Sequence, residues 1–215
     1  MEGRDDVFVL SWLILTIFLL ERGIISWSAV TLALACSSKH TAWFFVPFYF
    51  IYVHFFIKQK NVKIEIGEYL KNFIKLIWPF PTLFLLLILP FVIWDPISFF
   101  QDIYAYPAGT IPTSYPISGY GLSVVFYQLG LIKNITDYFP FWIAQIPITI
   151  IFYYFLIKNY GNSQNMSHLV FCYGALIFIY LFLSRFFHDN YIGFISQIFI
   201  VSYFLIDDKI ISVSK

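Results

Sequence analysis

The chain has 215 residues, a net charge of about +1, 60% hydrophobic and only 12% charged residues. A water-solvated domain of this length carries nearer ~25% charged residues, so the composition points to lipid as the main solvent. No basic stripe with interleaved aromatics is present, which sets nucleic-acid binding aside.

In chain order, apolar segments run at about 7–20, 24–38, 41–57, 76–94, 141–157, 166–184 and 191–206. Backbone polar groups in lipid must pair internally, so these segments are expected to be helices. The expected fold is all-α: a polytopic bundle of about seven membrane segments forming one transmembrane domain over 1–215. The first two fall short of the ~17–20 apolar residues that a straight crossing needs, which leaves flanking polar residues or a short hairpin to complete them. The opening MEGRDDVFVL is acidic on balance and lacks the basic lead of a signal peptide, so the first apolar run is expected to stay as a helix.

Lys and Arg set the orientation. With the N-terminus outside, the inner parts carry Arg22, Lys58, Lys60, Lys63, Lys71, Lys75, Lys158, Lys209 and Lys215, and the outer parts only Arg4, Lys39, Lys133 and Arg185. Residues 60–75 form an inner amphipathic helix, because Ile66, Tyr69, Leu70, Phe73 and Ile74 share one helical face. The expected location is the plasma membrane of a prokaryote, with the lipid bilayer as a partner.

The outward elements are then GRDD (3–6), SSKH (37–40), the loop 95–140 and RFFHDN (185–190). Loop 95–140 is too long and too aromatic for a plain connector. ISFFQDIYAY suits a short amphipathic helix, and the Pro- and Gly-punctuated stretch after it suits rigid turns. The loop either closes a cavity or caps the bundle structurally. Lys39 is either an interfacial anchor or a point charge for a phosphate. RFFHDN is either a polar turn, with Asp189 and Asn190 shaping it, or part of a site in which Arg185 grips phosphate through its planar fork. Asp5 and Asp6 are favoured by the dipole of the helix that they precede. Cys36 and Cys172 fit small buried residues, and His54 and His168 fit structural roles. Nucleotide-hydrolysis, zinc-protease and serine-esterase motifs are absent.

Taken together, GRDDVFVLSWLILTIFLLERG, the small-residue run leading to Lys39 and Pro47, the loop DPISFFQDIYAYPAG with PISGYGLS, and RFFHDNY carry a resemblance. Over residues 3–205 the chain resembles the GT-C superfamily of polytopic membrane glycosyltransferases, in its mannosyltransferase-like bacterial and archaeal branches. The resemblance implies transfer of a hexose from a polyprenyl-phosphate donor to an acceptor on the outer membrane face. It implies Asp5 or Asp6 as the catalytic acid group present, and Arg185, Lys39, His188 and His40 as substrate- or phosphate-binding residues. No cofactor is expected, and a divalent metal is left open. That family places its catalytic carboxylate in a first outer loop after a first helix, and neither precedes GRDD here. The expectation is therefore a missing N-terminal part, supplied by a partner chain if the chain is active. A non-catalytic membrane subunit or scaffold and, behind it, a small-solute transporter are the alternatives.

Overall fold

A computed structural model of the chain describes residues 6–60, 64–163 and 165–206. Among them the architecture is all-α, apart from one two-residue parallel bridge. Helix α1 (Asp6–Glu21) turns through Gly23 into α2 (Ile25–Ser38). Gly23 holds φ at 71°, in the left-handed region that glycine enters without a Cβ penalty. Lys39 then breaks the helical path with extended backbone, and the chain resumes as a 3-10 turn, His40–Phe45, that runs directly into α3 (Val46–Lys60).

Helix α4 (Ile66–Ile77) follows, bent by 46° against α5 (Pro79–Trp94). The apolar face expected for 60–75 splits in two. Tyr69 and Phe73 pack on the core, whereas Ile66, Leu70 and Ile74 stay exposed. Residues 61–63 of that segment lie outside the described residues. Beyond α5 the chain continues through α6 (Pro96–Phe100), a π-helical turn at Gln101–Ala105 and α7 (Tyr106–Ala108), then β1 (Ser118–Gly119) and α8 (Leu122–Gln128). The three long final helices are α9 (Trp142–Ser163), α10 (Met166–Phe182) and α11 (Asp189–Phe204), with β2 (Phe186–Phe187) between the last two.

Helix α1 packs against α2 and α11, α2 against α4 and α5, and α10 against α9 and α11. The core runs from Val9, Leu13 and Ile17 through Leu32, Phe45 and Tyr49 to Tyr173, Leu176 and Ile198. In so apolar a molecule, dispersion alone discriminates poorly between helix faces, and buried hydroxyls fix the pairings. Thr16 and Thr31 meet at 2.8 Å between α1 and α2. Ser167 and Ser202 each donate to the other's carbonyl between α10 and α11, at 2.7 and 2.9 Å. Tyr52 donates to Leu20 O and Tyr153 to Phe44 O. Such inter-helix bonds are individually modest, at ~0.6–2 kcal/mol in apolar surroundings. Cys36 and Cys172 are both buried free thiols, on α2 and α10.

The 95–141 region is fastened to the α10–α11 turn. Ser118 and Gly119 pair with Phe186 and Phe187, and Tyr120 N donates to Phe187 O at 2.7 Å. Gly119 has φ 91°, and a Cβ there would run into the Phe187 carbonyl oxygen. Gly119→Ala is therefore expected to lose more than ~2 kcal/mol from backbone strain and steric conflict together. A lowered thermal midpoint with faster proteolysis near Tyr120 would register it; an unchanged midpoint would contradict it.

Asp95 caps α6: its side chain accepts from Ser98 N at 3.0 Å and from Ser98 Oγ at 2.7 Å. These bonds hold its carboxyl below the ordinary 3.8. A depressed folded value means that the cap is at full strength above 3.8 and weakens as pH falls through the lower folded value. Protection of the Ser98 amide, taken relative to its intrinsic exchange rate, is expected to fall across that acidic window, and Asp95→Asn to abolish that fall. A protection factor that stays constant through that window in the wild type would contradict this.

Candidate functional site

Three helix ends meet at one point. Asp6 opens α1, where a carboxylate is favoured by the exposed amides and dipole of a helix N-terminus. Lys39 occupies the extended break after α2, and Asn190 lies in the first turn of α11. Lys39 Nζ reaches Asp6 Oδ1 at 2.6 Å, and Asn190 Nδ2 donates to Asp6 Oδ2 at 2.7 Å. The Lys39 ammonium also stands 5.0 Å from the centre of the Tyr191 ring, within cation–π range. The pair is largely withdrawn from solvent, with side-chain exposures of 18% for Lys39 and 12% for Asp6. Residues 184 positions apart are thus joined through one carboxylate. Asp5 lies outside the described residues.

Arg185 is 2% exposed and spends three guanidinium nitrogens on backbone carbonyls. Nε donates to Tyr115 O, Nη1 to Asp137 O at 2.8 Å and Nη2 to Ile135 O at 3.0 Å. Its own carbonyl accepts from Ser123 Oγ at 2.9 Å. A Cβ at Gly109 would collide with the guanidinium, so glycine leaves room for it. Burial pushes the guanidinium down from its ordinary range and nearby Asp137 pushes it back up; an arginine remains charged under both influences. The fork expected to grip a phosphate instead fastens the 109–141 region to the α10–α11 turn. His188 is committed to the same seam. Its Nε2 lies 3.3 Å from Ser118 Oγ, and its ring stacks on Phe186 and meets Tyr115 edge-on. Asp189 accepts from Asn190 N and shapes the turn, but Asn190 reaches beyond it to Asp6.

Two chambers adjoin this cluster. The larger, of about 520 Å³, has walls from Leu34, Trp43, Leu87, Ile88, Phe91 and Phe99, and polar groups from Lys39, His40 and Asp102. The smaller, of about 160 Å³, is lined by Tyr104, Trp142, Gln145, Tyr180, Arg185 and Tyr191, among others. His40, Ile103 and Pro107 face both chambers and form their common wall. The larger chamber thus combines mostly apolar walls with one ammonium, already paired to Asp6, one imidazole and one carboxylate.

Of the residues expected from sequence, Asp6, Lys39 and His40 converge beside the chambers, Arg185 lines the smaller one, and His188 lies in the seam. Sequence reasoning missed Asp102, Gln145 and the reach of Asn190. Asp102 had one faint signal, an acid inside the aromatic amphipathic stretch ISFFQDIYAY. Among the described residues, no group of three His, Cys, Asp or Glu side chains converges as a metal site. No protein-family profile matches the chain, and no curated protein or solved structure matches it.

Proposed function

We propose that this chain is a polytopic membrane protein of the GT-C type that transfers a hexose from a polyprenyl-phosphate donor to an acceptor on the outer face of a membrane. The observation that carries the reading is the larger chamber, whose mostly apolar lining includes Lys39 and His40. An isoprenoid chain would fill the apolar part and the phosphate would meet the ammonium. An ammonium has three donors and Lys39 gives one to Asp6. Positive charge fixed in a water-poor site stabilises the phosphate that leaves as the sugar is transferred.

The membrane part of the proposal is supported by what the helices leave uncovered. Leu86, Ile93 and Trp94 of α5 and Ile143, Ile150 and Tyr154 of α9 are all more than half exposed. Soluble monomers rarely expose contiguous apolar patches beyond a few hundred Å². The helical run His40–Gln59 is long and apolar enough to cross a bilayer by itself, and α4 with α5 meets the same measure as a bent pair. Helices α2 and α10 are apolar but shorter. A seven-crossing arrangement of α1, α2, α3, α5, α9, α10 and α11, with α4 along the inner surface and the N-terminus outside, fits these surfaces.

One observation favours the alternative of a non-catalytic subunit: both oxygens of Asp6 are engaged by Lys39 and Asn190. Reconstitution with radiolabelled polyprenyl-phosphate mannose or glucose and an acceptor extract separates the two readings. Transfer that disappears when Leu87→Trp fills the chamber supports the enzyme. Absence of transfer, with co-purification of a second membrane protein that does transfer, supports the subunit.

A further inference from the structure

Helix α4 meets the core through one side. Tyr69 and Phe73 pack there, and Tyr69 Oη lies 2.7 Å from His54 Nδ1 of α3. The next stripe round the helix, Ile66, Leu70 and Ile74, is 80%, 50% and 59% exposed. Lys71 and Lys75 follow Leu70 and Ile74 by one position each, ~100° further round, on the side turned away from the core. Both lysines are exposed. Among the described residues the ion pair found is Lys39 with Asp6, so neither of these ammoniums is committed to a carboxylate. Glu68 in the first turn and Lys75 in the last follow the order that a helix dipole favours. The dipole does not account for an apolar stripe left bare beside the lysines. Trp78, at the 46° bend between α4 and α5, is also more than half exposed. Tryptophan is enriched at the head-group level of membranes. Glu68, Lys71 and Lys75 keep α4 itself out of the hydrocarbon, where charged side chains are costly.

We infer that α4 is a recognition surface for anionic phospholipid. Ile66, Leu70 and Ile74 enter the acyl boundary of the bilayer, and Lys71 and Lys75 meet the phosphate-bearing head groups. The inference rests on the membrane reading above and is independent of glycosyl transfer. Charge complementarity selects the occupant. A basic amphipathic helix in the interface binds through its buried apolar area together with attraction to anionic lipid. A second protein chain would cover the stripe but would give the two uncommitted ammoniums no counter-charge. Lysine suits the position, because its methylene stem lies along apolar surface while the ammonium stays among polar groups. The surface is also preformed. The His54–Tyr69 hydrogen bond and the ring contacts of Phe73 with Tyr69 and Phe50 hold α4 against α3. Little ordering is then needed when lipid arrives. A cation near an anionic membrane surface contributes about fivefold to local lipid preference.

The test places a fluorophore on Gly67→Cys of the full chain. A side chain added there meets no atom within 4 Å, and Cys36 and Cys172 are buried away from the label. The labelled protein is inserted into vesicles of equal parts phosphatidylcholine and phosphatidylglycerol, with a nitroxide quencher on the head group of one lipid or the other. Expected is quenching by the labelled phosphatidylglycerol about three- to fivefold above that by the labelled phosphatidylcholine. Lys71→Gln combined with Lys75→Gln brings the two nearly level, and raised salt weakens the preference by screening. Both lysines are exposed, so their replacement leaves folding intact. Equal quenching by the two lipids in the otherwise unaltered chain overturns the inference, and so does a preference that survives the double substitution. A fluorophore quenched by neither lipid, in a chain that floats with the vesicles, also overturns it, because protein then covers α4. A chain that fails to float with the vesicles overturns the membrane reading, and this inference with it.

Discussion

Arg185→Ala is expected to release residues 109–141 from the α10–α11 turn and to lower stability by more than ~3 kcal/mol. Three carbonyls, of Tyr115, Ile135 and Asp137, lose a charged donor at once. Hydrogen bonds to charged groups contribute roughly 1.5–3 kcal/mol each, and these three act as a unit, so the sum is not additive. Truncation also empties the space that Gly109 leaves for the guanidinium. Arg185→Lys keeps the charge but replaces a planar fork by a point-like ammonium, which cannot serve three carbonyls in that geometry. It is expected to recover less than roughly half of the loss. Chymotryptic cleavage at Tyr115 and Tyr120, together with the thermal midpoint in detergent, reads both effects. A variant with wild-type protease resistance would show that the strand bridge and Ser123 hold the region without the guanidinium.

Lys39→Met is expected to cost about 2 kcal/mol, between the ~0–1 of a surface pair and the ~3–5 of breaking a fully buried one. The intermediate value follows from the partial exposure of both side chains. Methionine keeps the apolar stem that passes Tyr191 but leaves Asp6 with Asn190 as its remaining partner. Pairing it with Asp6→Asn removes the uncompensated charge, so the double variant is expected to be more stable than Lys39→Met alone, with a coupling of ~1–3 kcal/mol. Additive losses in the cycle would contradict the geometry at Asp6. The cluster ties the starts of α1 and α11 to the end of α2, so its rupture is also expected to loosen the Lys39–His40 end of the larger chamber.

Much of the helical layout was legible because apolar run length is a local property. Segments at 7–20, 24–38 and 166–184 overlie α1, α2 and α10 to within a few residues. In the long aromatic loop, the short helix expected over ISFFQDIYAY falls on the helical turns of Pro96–Ala108, and the first of the expected turns follows at Gly109. Long-range polar pairing was not legible. Nothing in the spacing of Asp6, Lys39 and Asn190 says that α1, α2 and α11 bring their ends together; that is a consequence of which faces pack. Arg185 carried a clear signal, a cation in an oily chain, but its carbonyl partners were not legible. Sequence pattern suggests an anion for a guanidinium, whereas here backbone carbonyls some fifty to seventy residues away satisfy it. Asn190 looked like a turn former because asparagine so often is one, and its reach to Asp6 depends on a neighbouring helix. Asp102 owes its place in the wall to a π turn, and no residue pattern in QDIYA distinguishes that from an ordinary helical turn.

The most direct measurement is a crosslinking map of the purified chain in vesicles with a photoreactive polyprenyl phosphate, read by peptide mass spectrometry. The larger chamber as donor site predicts adducts concentrated on Leu34, Trp43, Leu87, Ile88, Phe91 and Phe99, competed by unlabelled polyprenyl-phosphate hexose and lost in Leu87→Trp. Adducts spread over the exposed faces of α5 and α9, neither competed nor altered by Leu87→Trp, would contradict it.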